Sequence, residues 1–185
     1  KGDKQDVWTL GDLKNKKIIY LVAGEYDAAI LHQEIERKGS GDDVGVFTLT
    51  TGEATSIPAE IIRSFADLGN EEWRIVYDFD DTGLDNMPVR AKELSQTKKK
   101  VSMFVWKDEM NPRKKEGFDI NDHFLATGNI DIFLNPQSFQ EFKEGTEAIE
   151  YQGEHHYGND IAHIYKIDEY IWERIGGKVR IRDAD

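Results

Sequence analysis

From Lys16 onward, short apolar runs alternate with amphipathic stretches. Ile18 to Val22 (IIYLV) has the length and composition of a strand. Gly24 separates it from a stretch, Asp27 to about Arg37, in which Ala28, Ile30, Leu31 and Ile35 share one side of a helix. Lys38 to Asp43 (KGSGDD) is a loop by composition, Val44 to Leu49 a second strand, and Thr50 to Ser56 a polar turn. Pro58 suits a first helical turn, where its missing N–H costs nothing. Ile61, Ile62, Phe65 and Leu68 supply the apolar face before Gly69. Arg74 to Tyr77 opens a third strand that runs into Asp78-Phe79-Asp80-Asp81-Thr82-Gly83. A helix then extends to about Leu94, and Val101 to Trp106 is a fourth strand. Strands separated by helices in this rhythm predict an α/β fold with a mainly parallel four-stranded sheet flanked by helices.

Beyond Trp106 the pattern changes. Lys107 to Gly117 is a charged loop, Phe118 to Leu125 a turn and short helix, and Gln137 to Lys143 suggests another helix. Gly145 to Asn159 is polar and Gly-punctuated, as a hinge would be. Ile164, Ile167, Ile171 and Ile175 recur at helical spacing and predict a helix over Ile161 to Ile175, with Lys178 to Arg182 as a lone strand. The expected organisation is a lead-in over 1–15, the α/β domain over 16–128 and a mostly helical extension over 129–185.

Charge sharpens the picture. The 185 residues carry 24 Lys and Arg against 36 Asp and Glu, a net −12, which opposes a general basic surface for duplex nucleic acid. Apolar residues make up 38%, enough for a buried core. With no cysteine, disulfides, cysteine-ligated zinc and thiol nucleophiles are excluded, and a cytoplasmic setting is expected. No apolar run approaches the ~20 residues of a membrane span, so no membrane partner is expected. A first residue of Lys1 rather than Met suggests a piece of a longer polypeptide.

The chemistry concentrates at the strand ends. In extended chain, residues i and i+2 point to the same side, so Asp78 and Asp80 project together while Phe79 turns inward. Two carboxylates so close repel, and a divalent cation relieves that repulsion while keeping positions open for phosphate oxygens. An acidic turn capping the next helix, with Asp81 or Thr82 as the cap, uses the same residues. Two further motifs accompany this one: Val22-Ala23-Gly24-Glu25-Tyr26-Asp27-Ala28 after the first strand, and Gly117-Phe118-Asp119-Ile120-Asn121-Asp122 after the fourth.

Together these motifs resemble the TOPRIM domain of bacterial, phage and mobile-element DNA primases and primase-helicase-like proteins. The likeness covers roughly Lys16 to Gly128, including Thr50-Thr51-Gly52-Glu53-Ala54 after the second strand. It implies Mg²⁺- or Mn²⁺-dependent nucleotidyl transfer for primer synthesis in DNA replication. Asp78 and Asp80 would be metal-binding and catalytic, Glu25 a metal ligand or base, and Asp27, Asp81, Gly83, Asp119 and Asp122 supporting. The family commonly places Glu immediately before the first-motif Gly, where this chain has Ala23, and Lys before the later Asp, where it has Phe118. Glu25 would then substitute for the missing Glu. Lys98, Lys99 and Lys100, with Arg113, Lys114 and Lys115, are the candidates for nucleotide or nucleic-acid phosphate, and solvated charge runs are the ordinary alternative. Implied partners are nucleotides and a single-stranded DNA template presented by other domains, among them a helicase or a zinc-binding module.

Two other readings use the same residues. A non-catalytic TOPRIM-like scaffold or nucleotide-sensing domain follows from Ala23. Asp78-Phe79-Asp80-Asp81-Thr82 also matches the D-x-D-x-T nucleophile motif of haloacid-dehalogenase-like phosphatases, although that motif usually sits on the first strand and here two βα units precede it. Glu53 either reaches the acidic centre or is a turn carboxylate. His155, His156 and His163 are irregularly spaced for a metal site, and Trp8, Trp73, Trp106 and Trp172 read as core or edge aromatics.

Overall fold

The computed structural model describes residues 7–143 and, as backbone strands, residues 163–167, 170–175 and 178–183. In chain order the first elements are β1 (Val7–Leu10), β2 (Ile18–Val22), α1 (Glu25–Arg37), β3 (Val44–Leu49), α2 (Ala59–Ala66), β4 (Glu72–Val76), α3 (Asp81–Ser95) and β5 (Lys100–Phe104). A 3₁₀ turn (Asp108–Met110), α4 (Ile120–Thr127), α5 (Asp131–Leu134), a second 3₁₀ turn (Pro136–Ser138) and β6 (Phe139–Glu141) follow. Strands β7 (His163–Ile167), β8 (Tyr170–Ile175) and β9 (Lys178–Asp183) form a separate antiparallel sheet in that order.

The main sheet is mixed and six-stranded, in the order β1-β3-β2-β4-β5-β6. Its four inner strands are parallel, matching the sequence expectation. The outer two are antiparallel additions that the expectation omitted. Continuous apolar runs such as Ile18–Val22 and Val44–Leu49 are buried on both faces, as central parallel strands require. On one face Phe47, Phe65 and Trp73 pack ring to ring, and the Trp73 indole donates to Thr97 Oγ1 at 2.9 Å.

The opposite face holds a polar core. Arg74, 4% exposed, pairs with Glu72 at 3.0 Å, donates to Tyr20 Oη at 2.9 Å and lies 4.8 Å from the Phe139 ring centroid. These contacts explain why Gln137 to Lys143 is not the expected helix. Asn135 Oδ1 caps a 3₁₀ turn that starts at Pro136, and Phe139 is then drawn into the sheet opposite Phe104. The sheet thus takes in chain on both sides of 16–128.

The expected helix over Ile161 to Ile175 is also corrected. His163–Ile167 and Tyr170–Ile175 are strands of a hairpin, and Lys178–Asp183 pairs with the second of them rather than standing alone. Ile and aromatic residues at these positions favour a pleated surface, and isoleucines spaced by three or four satisfy a helical pattern by coincidence. The Gly145 to Asn159 hinge reading, His155 and His156 lie outside the described residues. Among the described residues, no helix is long and apolar enough to cross a membrane.

Candidate metal centre

Chain order reverses across the sheet between β2 and β4: the chain passes from β2 to β3 on one side, then crosses back to β4 on the other. Such a switch point leaves a crevice at the carboxyl ends of the strands. The register sets Val22 level with Val76, so the segments leaving β2 and β4 emerge side by side. Asp27 lies in the first turn of α1 and is 5% exposed. Glu25 is about 200° away around the helix and faces solvent.

The later acidic motif is brought in by a single pair of residues. Phe79 and Phe118 form an isolated antiparallel bridge, with the Phe79 amide donating to the Phe118 carbonyl at 2.7 Å. Antiparallel pairing at that point sets Asp78 beside Asp119 and Asp80 beside Gly117. Trp106 locks the bridge: its ring stacks on Phe79 at 5.3 Å, meets Phe118 at 5.8 Å, and its indole donates to the Tyr77 carbonyl at 2.8 Å. Phe118 is therefore a core residue, 7% exposed, and contributes no charge to the site.

Gly83 is required for steric reasons. The first turn of α3 passes directly over the Asp78 backbone, and a Cβ on Gly83 would lie 2.2 Å from the Asp78 carbonyl oxygen and 2.8 Å from its nitrogen. Neither backbone atom can move without displacing the motif. Gly83→Ala is expected to destabilise the protein by about 3 kcal/mol, despite the ~1 kcal/mol that Ala ordinarily gains over Gly inside a helix. Urea unfolding followed by circular dichroism measures it, and a change below about 1 kcal/mol would contradict the close packing.

Two groups of three carboxylates result, Asp27 with Asp78 and Asp119, and Glu53 with Asp78 and Asp80. Within each, one ligand oxygen per residue lies within 4.8 Å of the others, and Asp78 belongs to both. Backbone amides orient the set. Asp80 Oδ1 caps α3 by accepting from Gly83 N at 2.8 Å, and Asp119 Oδ1 caps α4 by accepting from Asp122 N at 2.6 Å. Asp27 Oδ1 accepts from Asn121 N at 3.0 Å, and the Asp78 backbone donates to the Glu53 carboxylate. The cap falls on Asp80 rather than on Asp81 or Thr82, which lie within α3, and it leaves ligation open because a capping carboxylate has a second oxygen. Glu53 Oε2 is buried with no hydrogen-bond partner among the described residues.

Such crowding opposes ionisation. Burial first, then the charges of Glu53, Asp27, Asp119 and Asp80, push Asp78 up to about 8. Burial and then Asp119 push Asp27 up to about 7, and burial and then Asp80 push Glu53 up to about 7. Asp119 is raised too, chiefly by burial. Carboxylates that repel one another and share oxygens at this spacing suit a hard divalent cation. Neither group contains a histidine, and the all-oxygen donor set fits Mg²⁺ or Mn²⁺ better than zinc.

The remaining sequence candidates disperse. Glu25 belongs to neither group. Asp81 begins α3, and Asp122 pairs with Lys115 Nζ at 2.6 Å. Arg113, Lys114 and Lys115 are exposed on the loop leaving the carboxyl end of β5, the same end of the sheet as the carboxylates. Lys98 and Lys99 precede β5, and Lys100 begins it and pairs with Glu72 at 2.9 Å. They lie at the opposite end of the sheet from the acidic cluster. Glu53 is the residue sequence reasoning undervalued; its one sequence signal is a carboxylate after Gly52 at a strand's carboxyl end.

No protein-family model matches the chain, and no curated protein does. Among solved structures, the crystal structure of the Aquifex aeolicus primase, comprising zinc binding and RNA polymerase domains, is similar to it with 18% identity and a TM-score of 0.49. That similarity covers 70% of this chain and 28% of the primase chain, so the present sequence spans under a third of it.

Proposed function

We propose that this chain is a TOPRIM-like domain of a DNA primase or primase-helicase-like protein and performs divalent-cation-dependent nucleotidyl transfer for primer synthesis. The observation that carries the reading is the meeting of carboxylates from four separate chain segments at the switch point between the parallel inner strands, with Asp78 shared between two groups. Asp27, Asp78 and Asp119 would hold one cation and Glu53, Asp78 and Asp80 another. A bound Mg²⁺ or Mn²⁺ polarises a nucleotide phosphate and lowers the pKa of an attacking hydroxyl. The chain's own part is to set ligand oxygens in place before substrate arrives, through the amide contacts on Asp27, Asp80, Asp119 and Glu53. Arg113, Lys114 and Lys115 are the basic residues suited to substrate phosphate. The proposed catalytic unit corresponds to 16–128, completed by the edge strands.

A templated primer-synthesis assay on the parent polypeptide tests the reading. Glu53→Gln is expected to lower synthesis by about tenfold or more, and Glu25→Gln to leave it within about twofold. The reverse ranking would return Glu25 to the centre. The exposed position of Glu25 and the presence of Ala23 favour the second reading, a scaffold that binds the cation without transfer. Cation binding with no synthesis by the parent polypeptide would establish it.

A further inference from the structure

Arg90 stands out among the charged side chains of α3. It is 2% exposed, on the same buried side as Met87, Ala91 and Leu94, where an apolar residue would avoid the cost of burying a charge. Its contacts leave the helix. Arg90 Nη1 donates to the Thr55 carbonyl, and Arg90 Nε lies 3.2 Å from Glu93 Oε2. The same Glu93 oxygen accepts the Ile57 amide at 2.9 Å. Two neighbouring side chains of one helix therefore grip the backbone 35 and 36 residues earlier.

What they grip is the turn bearing Glu53. Gly52 adopts φ +84°, its amide bonds to Leu49 O at 3.1 Å, and Thr55 N bonds back to Gly52 O at 3.3 Å. Glu53 sits inside that turn, so the turn's attitude sets the direction of its side chain. The entry is fixed by β3. The exit, at Thr55 and Ile57, is fixed by Arg90 and Glu93. Arg suits this place because Nη1 reaches the Thr55 carbonyl while the guanidinium charge stays beside the Glu93 carboxylate as an ion pair, with no hydrogen bond at Nε among the described residues.

We infer that Arg90 is a positioning residue that holds Glu53 against Asp78 and Asp80, and that the clasp from α3 to the 50–57 turn sets how tightly the Glu53 group binds a divalent cation. The inference rests on the reading of the carboxylates as a cation site. It separates two jobs within α3: the helix start orders Asp80 as a cap, and the third turn orders Glu53 through Arg90.

Titration of the protein with Mn²⁺, read by electron paramagnetic resonance and calorimetry, tests it in a two-by-two set: wild type, Arg90→Lys, Glu53→Gln and the double variant. Arg90→Lys is expected to weaken Mn²⁺ binding about tenfold, the loss typical of a residue that orients a ligand. In the Glu53→Gln background the same change is expected to cost less than about twofold, because the group it orients is already gone. A purely structural Arg90 would lower affinity equally in both backgrounds, and that result overturns the inference. So does wild-type affinity in Arg90→Lys. Undiminished Mn²⁺ binding by Glu53→Gln, or none by wild type, overturns the underlying site reading and the inference with it. Should Arg90→Lys fail to fold by circular dichroism, Glu93→Gln replaces it, keeping an acceptor for Ile57 N while removing the charge facing Arg90. It is expected to weaken binding severalfold, and unchanged affinity overturns the inference.

Discussion

Asp78→Asn is expected to abolish divalent-cation binding at both carboxylate groups, whereas Asp27→Asn or Glu53→Gln removes binding at one. The asymmetry follows from membership: Asp78 is common to the two triads and each of the others belongs to one. Loss of a directly ligating carboxylate exceeds the ~10–100-fold that loss of an outer partner costs, so the Mn²⁺ signal of the variant should match that of protein-free buffer up to millimolar metal. Templated synthesis by the parent polypeptide should fall with it. The metal-free variant should also be more thermostable than wild type at pH 8, since a crowded, buried charge has been replaced by a neutral amide of the same shape. Mn²⁺ binding to Asp78→Asn with wild-type stoichiometry would sink the two-group site.

The second large effect is a stability that falls as pH rises when no metal is present. In the unfolded chain Asp and Glu lose their protons near pH 4. In the fold Asp27 and Glu53 hold theirs to about 7 and Asp78 to about 8. Between those limits the native state binds more protons than the unfolded state, so the stability these groups contribute is complete below about pH 4 and is lost as pH climbs through 7 to 8. His123, lowered by burial, works in the opposite direction below its ordinary value near 6.5, so the scan is best made from pH 6.5 to 9. Across that range the metal-free melting temperature should fall by on the order of 10 °C. With saturating Mg²⁺ the slope should flatten, because a cation takes over the compensation that protons provide at lower pH. A flat profile without metal, measured by scanning calorimetry, would mean that the three carboxylates ionise in the fold much as they do in water.

Strand ends were the part of the site that sequence could announce. Asp78 and Asp80 end an inner-strand segment, where backbone alternation pairs them, whereas Asp119 is joined to them through the family resemblance. Helix phase was harder to read. Glu25 and Asp27 are two residues apart, and only the angle at which α1 leaves β2 decides which faces inward. Glu53 depended on something more remote, the clasp from Arg90 and Glu93, which no local pattern contains. The fold shows the same gradient. The inner strands β2 and β3 are largely apolar runs, β4 carries Glu72 and Arg74 within its apolar positions, and Val7–Leu10 becomes a strand because β3 has an edge to pair with. The 163–175 region shows the limit of periodicity, since isoleucines spaced by three or four also fit the two short strands His163–Ile167 and Tyr170–Ile175.

The Phe79–Phe118 bridge also separates the geometry of the site from the length of the chain that joins its parts. Asp78 and Asp119 are held by a one-residue contact clamped under Trp106, and the intervening loop meets the start of α4 through Lys115, which pairs with Asp122. Pro112 to Glu116, at its outer end, are solvent-exposed. Lengthening a surface loop costs little, about 0.6 kcal/mol per doubling. This loop is therefore a place where a lineage can add or exchange sequence, altering what is presented beside the acidic crevice without re-solving the carboxylate geometry.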